Sequence, residues 1–278
     1  MKRFIVFVAA VSAALVTMLS SAPPASATAP GENGRIAFRR YFNDAHTSGA
    51  IFTINPDGTA ERRLTRQPPS RVTVEADWSP NGHWIVYNVW PQGDDNRSRI
   101  HKIRANGTEH TYLDSSCTGS CLTDGFAQWS PNGRQIVFQR GEGPAVGQNN
   151  LVAIFVMRAD GTHVRQITQG GADPAVEQPY EDDSPTWSPT GKRVAFVRVR
   201  RSTGGGAIFT MRLDGTGLRR VTPWSLKAGQ PDWSPGGGWI AFYTPTDADS
   251  FRQVALVHPN GSGLHRITSG AGTWGSLS

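Results

Sequence analysis

An all-β propeller is the fold this sequence predicts, and three observations predict it. A Trp-Ser-Pro-x-Gly string recurs four times, each copy followed closely by an apolar strand. An alternating apolar run that ends in Asp-Gly or Asn-Gly recurs five times. The two signals alternate along the chain, with Trp-to-Trp spacings of 51, 58 and 46 residues. Four antiparallel strands repeated every ~40–60 residues are the signature of a β-propeller.

In chain order, Met1-Lys2-Arg3 is a short basic start, Phe4 to Leu19 is an unbroken apolar run, and Ala25-Ser26-Ala27 is a small-x-small cleavage pattern. This reads as a secretory signal peptide over residues 1–27, too short and wrongly flanked for a membrane span. A secreted or periplasmic protein follows, a single propeller domain over residues 28–278 with no membrane anchor once the leader is cleaved. Removal of Lys2 and Arg3 lowers the formal charge from +6 to +4. That excess does not by itself point to nucleic acid. Cys117 and Cys121 enclose Thr-Gly-Ser in a polar loop, and in an oxidising compartment they are expected to form a local disulfide.

The Trp strings stand at Trp78, Trp129, Trp187 and Trp233, each followed by a strand such as Ile136-Val137-Phe138. The third strand of each unit precedes its turn: Ile51 to Ile54 before Asp57-Gly58, Ile100 to Ile103 before Asn106-Gly107, Ile154 to Met157 before Asp160-Gly161, Ile208 to Met211 before Asp214-Gly215, and Val254 to Val257 before Asn260-Gly261. Asx-Gly between β-rich runs is a hairpin signal, because both residues tolerate positive φ. A short fourth strand closes each unit, as in Arg63-Leu64-Thr65 or Gln166-Ile167-Thr168.

These motifs resemble the TolB-like, WD40-like propeller repeat, whose usual form is a Trp-Ser-Pro-Asp-Gly turn followed by an Ile-Ala-Phe strand. The family's Asp is here Asn81, Asn132, Thr190 or Gly236, and the likeness runs through the whole mature chain. Arg35-Ile36-Ala37-Phe38 lacks a preceding Trp strand, and Thr273-Trp274-Gly275 is a Trp strand with little after it. The two ends therefore complete one blade, giving five blades closed by N- and C-terminal strands, which hides the sheet edges. The family that this resembles usually has six, and six is the alternative.

Two of the four connections per blade are tight turns at one end, so binding is expected at the other end, among the variable loops. Those loops carry Asp44, Asp94, Asp95, Asp173, Glu177, Glu181, Asp182, Asp183, Asp247 and Asp249, with Glu75 and Asp124 at the channel mouth and Trp90, Tyr180, Trp224 and Phe251 as exposed aromatics. Glu75, Trp90, Asp124, Tyr180, Glu181, Asp182, Asp183 and Trp224 form the candidate binding set, since aromatics beside carboxylates suit a basic or mixed peptide. Arginines such as Arg62, Arg165 and Arg219 fall on the outer strand, where charge blocks edge pairing. The motif tryptophans are expected between blades.

No metalloprotease, nucleophile-elbow, P-loop or dinucleotide motif occurs, and no cofactor or metal is expected; loop carboxylates lack a calcium-ligand spacing. Hydrolase domains accompany TolB-like propellers in some peptidases, and no residues are left for one here. The sequence thus predicts a monomeric scaffold for a protein or peptide partner, without nucleic acid. The alternative is an extracellular propeller enzyme, a glycoside hydrolase or polysaccharide lyase, using Glu75, Asp124 and Asp182 as acid and base.

Overall fold

The computed structural model describes residues 34–66, 71–91, 97–113, 121–142, 151–169, 171–173, 176–245 and 252–268. The expected leader, Cys117, Asp94, Asp95, Asp247, Asp249, Phe251 and the closing strand with Trp274 lie outside them. Within the described residues the chain forms five successive blades of antiparallel strands, the first two joined into one seven-stranded sheet by a single parallel pairing of Gly49 with Val72.

The first blade has β1 (Ile36–Tyr41), β2 (Gly49–Ile54) and β3 (Arg62–Arg63). The second has β4 (Arg71–Trp78), β5 (Trp84–Pro91), β6 (Arg99–Arg104) and β7 (Thr111–Tyr112). The third has β8 (Cys121–Trp129), β9 (Gln135–Glu142), β10 (Leu151–Arg158) and β11 (Arg165–Gln166). In the fourth, β12 (Gly171–Asp173) precedes β13 (Val176–Trp187), β14 (Arg193–Arg200), β15 (Gly206–Arg212) and β16 (Arg219–Arg220). The fifth has β17 (Gly229–Trp233), β18 (Ile240–Pro245), β19 (Arg252–Val257) and β20 (His265–Arg266).

The repeat's small polar residues do the same job in each blade that carries them. The Ser hydroxyl of Trp-Ser-Pro-x-Gly accepts the N–H five residues on: Trp84 to Ser79 and Gln135 to Ser130 at 2.9 Å, Arg193 to Ser188 and Trp239 to Ser234 at 3.0 Å. The motif glycine sits at φ near +70°, which a side chain would strain. In the other turn the Asx oxygen accepts the N–H and hydroxyl two residues later, as Asp160 does from Thr162. The Thr that closes the fourth strand is a latch: Thr65, Thr168 and Thr222 are buried and accept the N–H of Ile51, Ile154 and Ile208 at 2.8–2.9 Å.

Apolar side chains fill the space between neighbouring blades, and the motif tryptophans sit there as expected. Trp129 packs with Val86, Ile100 and Leu113 of the second blade, Trp187 with Val137, Ile154 and Ile167 of the third, and Trp233 with Ala195, Ile208 and Val221 of the fourth. The residue paired with each Trp across the sheet is fully buried: Ile85, Ile136, Val194 and Ile240. The corresponding Ile36 of β1 is 45% exposed within the described residues.

The outer-strand arginines do more than guard an edge. Arg62, Arg165 and Arg219 each donate to a backbone carbonyl in the next blade's hairpin turn, of Asn106, Leu213 and Asn260 respectively. Where the second blade has Thr111, Lys102 bridges instead to the carbonyl of Ala159 at 2.8 Å. Loss of one such exposed bond in Arg165→Ala is expected to cost about 1 kcal/mol, read as a lower urea midpoint with an unchanged slope.

Candidate functional site

The innermost strands β4, β8, β13 and β17 neighbour one another around the central channel. Each breaks register three residues before its Trp, where Glu75, Phe126, Ser184 and Gln230 take φ of +56°, +52°, +49° and +44°. Left-handed backbone at a non-glycine residue costs of order 1 kcal/mol. Its recurrence in four blades means that the ring geometry imposes it. The bulges turn polar groups across to the next blades. Glu75 Oε2 accepts the Phe126 N–H at 2.7 Å, Asp77 Oδ2 accepts the Trp129 N–H at 2.7 Å, and the Ser184 N–H reaches Gln139 Oε1 at 3.1 Å.

Four carboxylates thereby converge on the channel, Glu75 and Asp77 from the second blade, Asp183 from the fourth and Asp232 from the fifth. Burial pushes the Glu75 carboxyl up to about 7, against the Phe126 N–H and the Arg39 charge, with Asp183 adding repulsion. Burial likewise pushes Asp77 up to about 7, and Asp232 adds to it from across the ring. Asp183 rises to about 6 for the same reason, opposed by its bond to Ser184. Glu75, Asp77 and Asp183 are half-buried, and Asp232 is exposed within the described residues. Among the described residues, no three His, Cys, Asp or Glu side chains cluster closely enough to hold a metal ion.

Asp182, expected among the loop acids, and Asp124, expected at the channel mouth, are both committed within their own blades. Both are buried, in β8 and β13, five residues before the Trp. Each stands opposite an arginine of the adjacent strand and accepts two parallel bonds from it. Arg140 reaches Asp124 at 2.8 and 3.0 Å, and Arg198 reaches Asp182 at 2.7 and 2.9 Å. Burial pushes the Asp124 carboxyl up to about 7, with Arg99 opposing and Glu142 adding to the shift, while the two-pronged guanidinium donation favours its charged form. Carboxylates so committed make poor general acids, which removes two of the three residues of the enzymatic alternative.

Tyr180 also differs from its expected exposure: it is buried over the Arg198 guanidinium at 3.8 Å. Glu181 is half-buried and pairs with Arg201 at 2.8 Å. Trp224 begins a single 3₁₀ turn, half-buried against Phe209, with Arg200 stacked at 4.0 Å. Tyr180, Arg200 and Trp224 stand together, since Tyr180 pairs directly with Arg200 across the sheet, and the Glu181–Arg201 pair, one residue on in each case, lies at the same end of the blade. Trp90 is half-buried near the end of β5, on the second blade and apart from these residues, though at the same end of the ring. Asp44 is exposed in the turn after β1. Asp173, Glu177 and Cys121 lie on described strands, but their side chains are outside the description, so the disulfide is not placed.

The sequence reading missed Asp77, Asp232, Arg140 and Arg198. Two signals could have found them: Asp immediately before the motif Trp in two blades, and Arg two residues after the strand's Phe in three, at Arg40, Arg140 and Arg198.

Solved structures with this arrangement include a putative TolB from Agrobacterium tumefaciens, 22% identical with a TM-score of 0.60, over 80% of this chain and 70% of that one. Another is TolB from Acinetobacter baumannii, 19% identical with a TM-score of 0.63, over 84% and 53%. The fold is that of a TolB-like β-propeller. In sequence, the Tol-Pal system protein TolB of Zymomonas mobilis is 30% identical over 68 residues, 24% of this chain and 13% of that protein. An uncharacterized protein of Agrobacterium fabrum, Atu1656, is 28% identical over 152 residues, 53% of this chain and 46% of that protein, so the chain spans less than half the length of either curated relative, and no protein-family model matches. Among the described residues of this TolB-like propeller, no helix is long and apolar enough to cross a membrane.

Proposed function

We propose that this TolB-like propeller is an extracytoplasmic scaffold that binds a protein or peptide on its long-loop face. The observation that carries the reading is the patch of Trp224, Arg200, Glu181 and Arg201 at the end opposite the tight turns. It places a partly covered tryptophan beside stacked and paired charges, the residue types that dominate protein interfaces. Trp90 adds a second aromatic to the same rim. The likeness to TolB, a Tol-Pal system protein in Zymomonas, agrees with a binding role, and the leader and compartment follow from the N-terminal sequence. Trp224→Ala combined with Glu181→Lys is expected to lower capture of the partner from an extracytoplasmic extract about tenfold. Equal capture by wild type and variant, with the bound protein identified by mass spectrometry, would sink the site.

A second reading is favoured by the Glu75 carboxyl, which reaches across to accept the Phe126 N–H and is pushed by burial up to about 7. It makes the channel an acid–base site for a polysaccharide. Product release from a polysaccharide panel that Glu75→Gln abolishes would establish it over the scaffold.

A further inference from the structure

At the tight-turn end, a groove of about 710 Å³ opens between the fourth and fifth blades, lined by Pro189, Lys192, Arg193, Arg212, Leu213 and Trp233. One cross-strand position in this groove breaks a pattern kept by the other blades. In the first blade, Arg35 donates to Asn55 at 2.8 Å. In the second, Trp84 pairs with Arg104, whose guanidinium lies 4.7 Å from the ring, and Arg104 also meets Glu109 at 2.6 Å. In the third, Gln135 faces Arg158. In the fifth, Trp239 stacks on His258 at 3.7 Å. Each of these pairs is complementary or neutral to its partner. In the fourth blade the pair is Arg193 opposite Arg212, and like charges directly opposite one another destabilise a sheet.

The two guanidinium groups also converge. A methyl group placed on Gly217 would lie 3.4 Å from Arg212 Nη1 and 3.6 Å from Arg193 Nη1, so both reach over the same glycine. Arg193 spends its other nitrogen on Thr210 Oγ1 and the Gly217 carbonyl, at 3.2 and 2.9 Å. Arg219 adds a third positive charge nearby, and Lys192 is exposed on the rim. Asp214 also lines the groove, with one oxygen taken by the Thr216 N–H and hydroxyl of its own turn, and its charge offsets part of that on Arg212, leaving the groove net positive. Beside these cations stand Leu213, Pro189 and the edge of Trp233, an apolar wall next to a positive one.

We propose that this groove binds an acidic segment of a protein partner, one Asp or Glu carboxylate between Arg193 and Arg212 and a neighbouring apolar side chain against Leu213 and Trp233. Paired guanidinium groups match a carboxylate. The apolar wall distinguishes such a segment from a bare inorganic anion. The groove lies at the opposite end of the ring from the long-loop patch, so either site can fail while the other stands.

The probe is a fluorescently labelled peptide alternating leucine and glutamate, titrated into the protein spanning residues 28–278. Saturable binding is expected, weakening at higher salt. Arg212→Gln should weaken it about tenfold and Lys192→Gln by less, whereas Arg134→Gln, which removes an exposed charge from the third blade's turn, should leave it unchanged. Because Arg212→Gln relieves a repulsion, its melting temperature should equal or exceed that of wild type. Three results would overturn the proposal: no saturable binding, equal loss in Arg134→Gln, or inorganic phosphate or dextran sulfate binding in the groove while the peptide does not.

Discussion

Asp182→Ala is expected to lose about 3–5 kcal/mol of stability, the largest effect of any single substitution considered for this chain. Asp182 and Arg198 are 0% and 4% exposed and share two charge-assisted bonds. Truncation leaves the Arg198 guanidinium buried under Tyr180 and Phe209 without its carboxylate. Replacing both partners by apolar residues, as in Asp182→Leu with Arg198→Met, should recover most of the loss, because it removes both buried charges. Urea unfolding of the two singles and the double completes the cycle. A loss below about 1 kcal/mol in Asp182→Ala would show that the pair does not brace the fourth blade. Asp124 and Arg140 should behave alike in the third.

Asp77→Asn is expected to change the shape of the stability-against-pH curve. The folded Asp77 carboxyl is raised to about 7 from an ordinary 3.8. Its contribution is therefore fully present below about pH 4 and lost as pH rises through 7. Asparagine keeps an oxygen for the Trp129 N–H and carries no charge. Wild type and variant should match near pH 4, and by pH 8 the variant should be ahead by up to about 4 kcal/mol, less the screening that channel water supplies. His101 acts in the opposite sense, stacked on His110 and lowered by burial to about 4. Its contribution is full above 6.5 and fades as pH falls toward 4. It is common to both proteins and cancels in the difference. Parallel thermal-melt curves for wild type and Asp77→Asn across this range would contradict the channel electrostatics.

What the sequence made legible was local. Trp-Ser-Pro-x-Gly and Asx-Gly write their hydrogen bonds within five residues, so the turns, the strands between them and the inter-blade tryptophans follow from the string itself. The acids were harder to place because their partners are set by register. Asp182 looks like a loop residue in Tyr-Glu-Asp-Asp until β13 is laid against β14 and Arg198, 16 residues on, falls opposite it. The outer arginines were read from their own strand, while their bonds end in the next blade. Asp77 and Asp232 belong to different blades, and only the arrangement of the blades brings the charge of one to bear on the other.

Hydrogen–deuterium exchange of the propeller with and without its captured partner tests the central claim most directly. The account predicts new protection at the long-loop rim, in segments 88–90, 180–181 and 199–201 and around Trp224. Protection confined to the tight-turn end, with the rim unchanged, would contradict it.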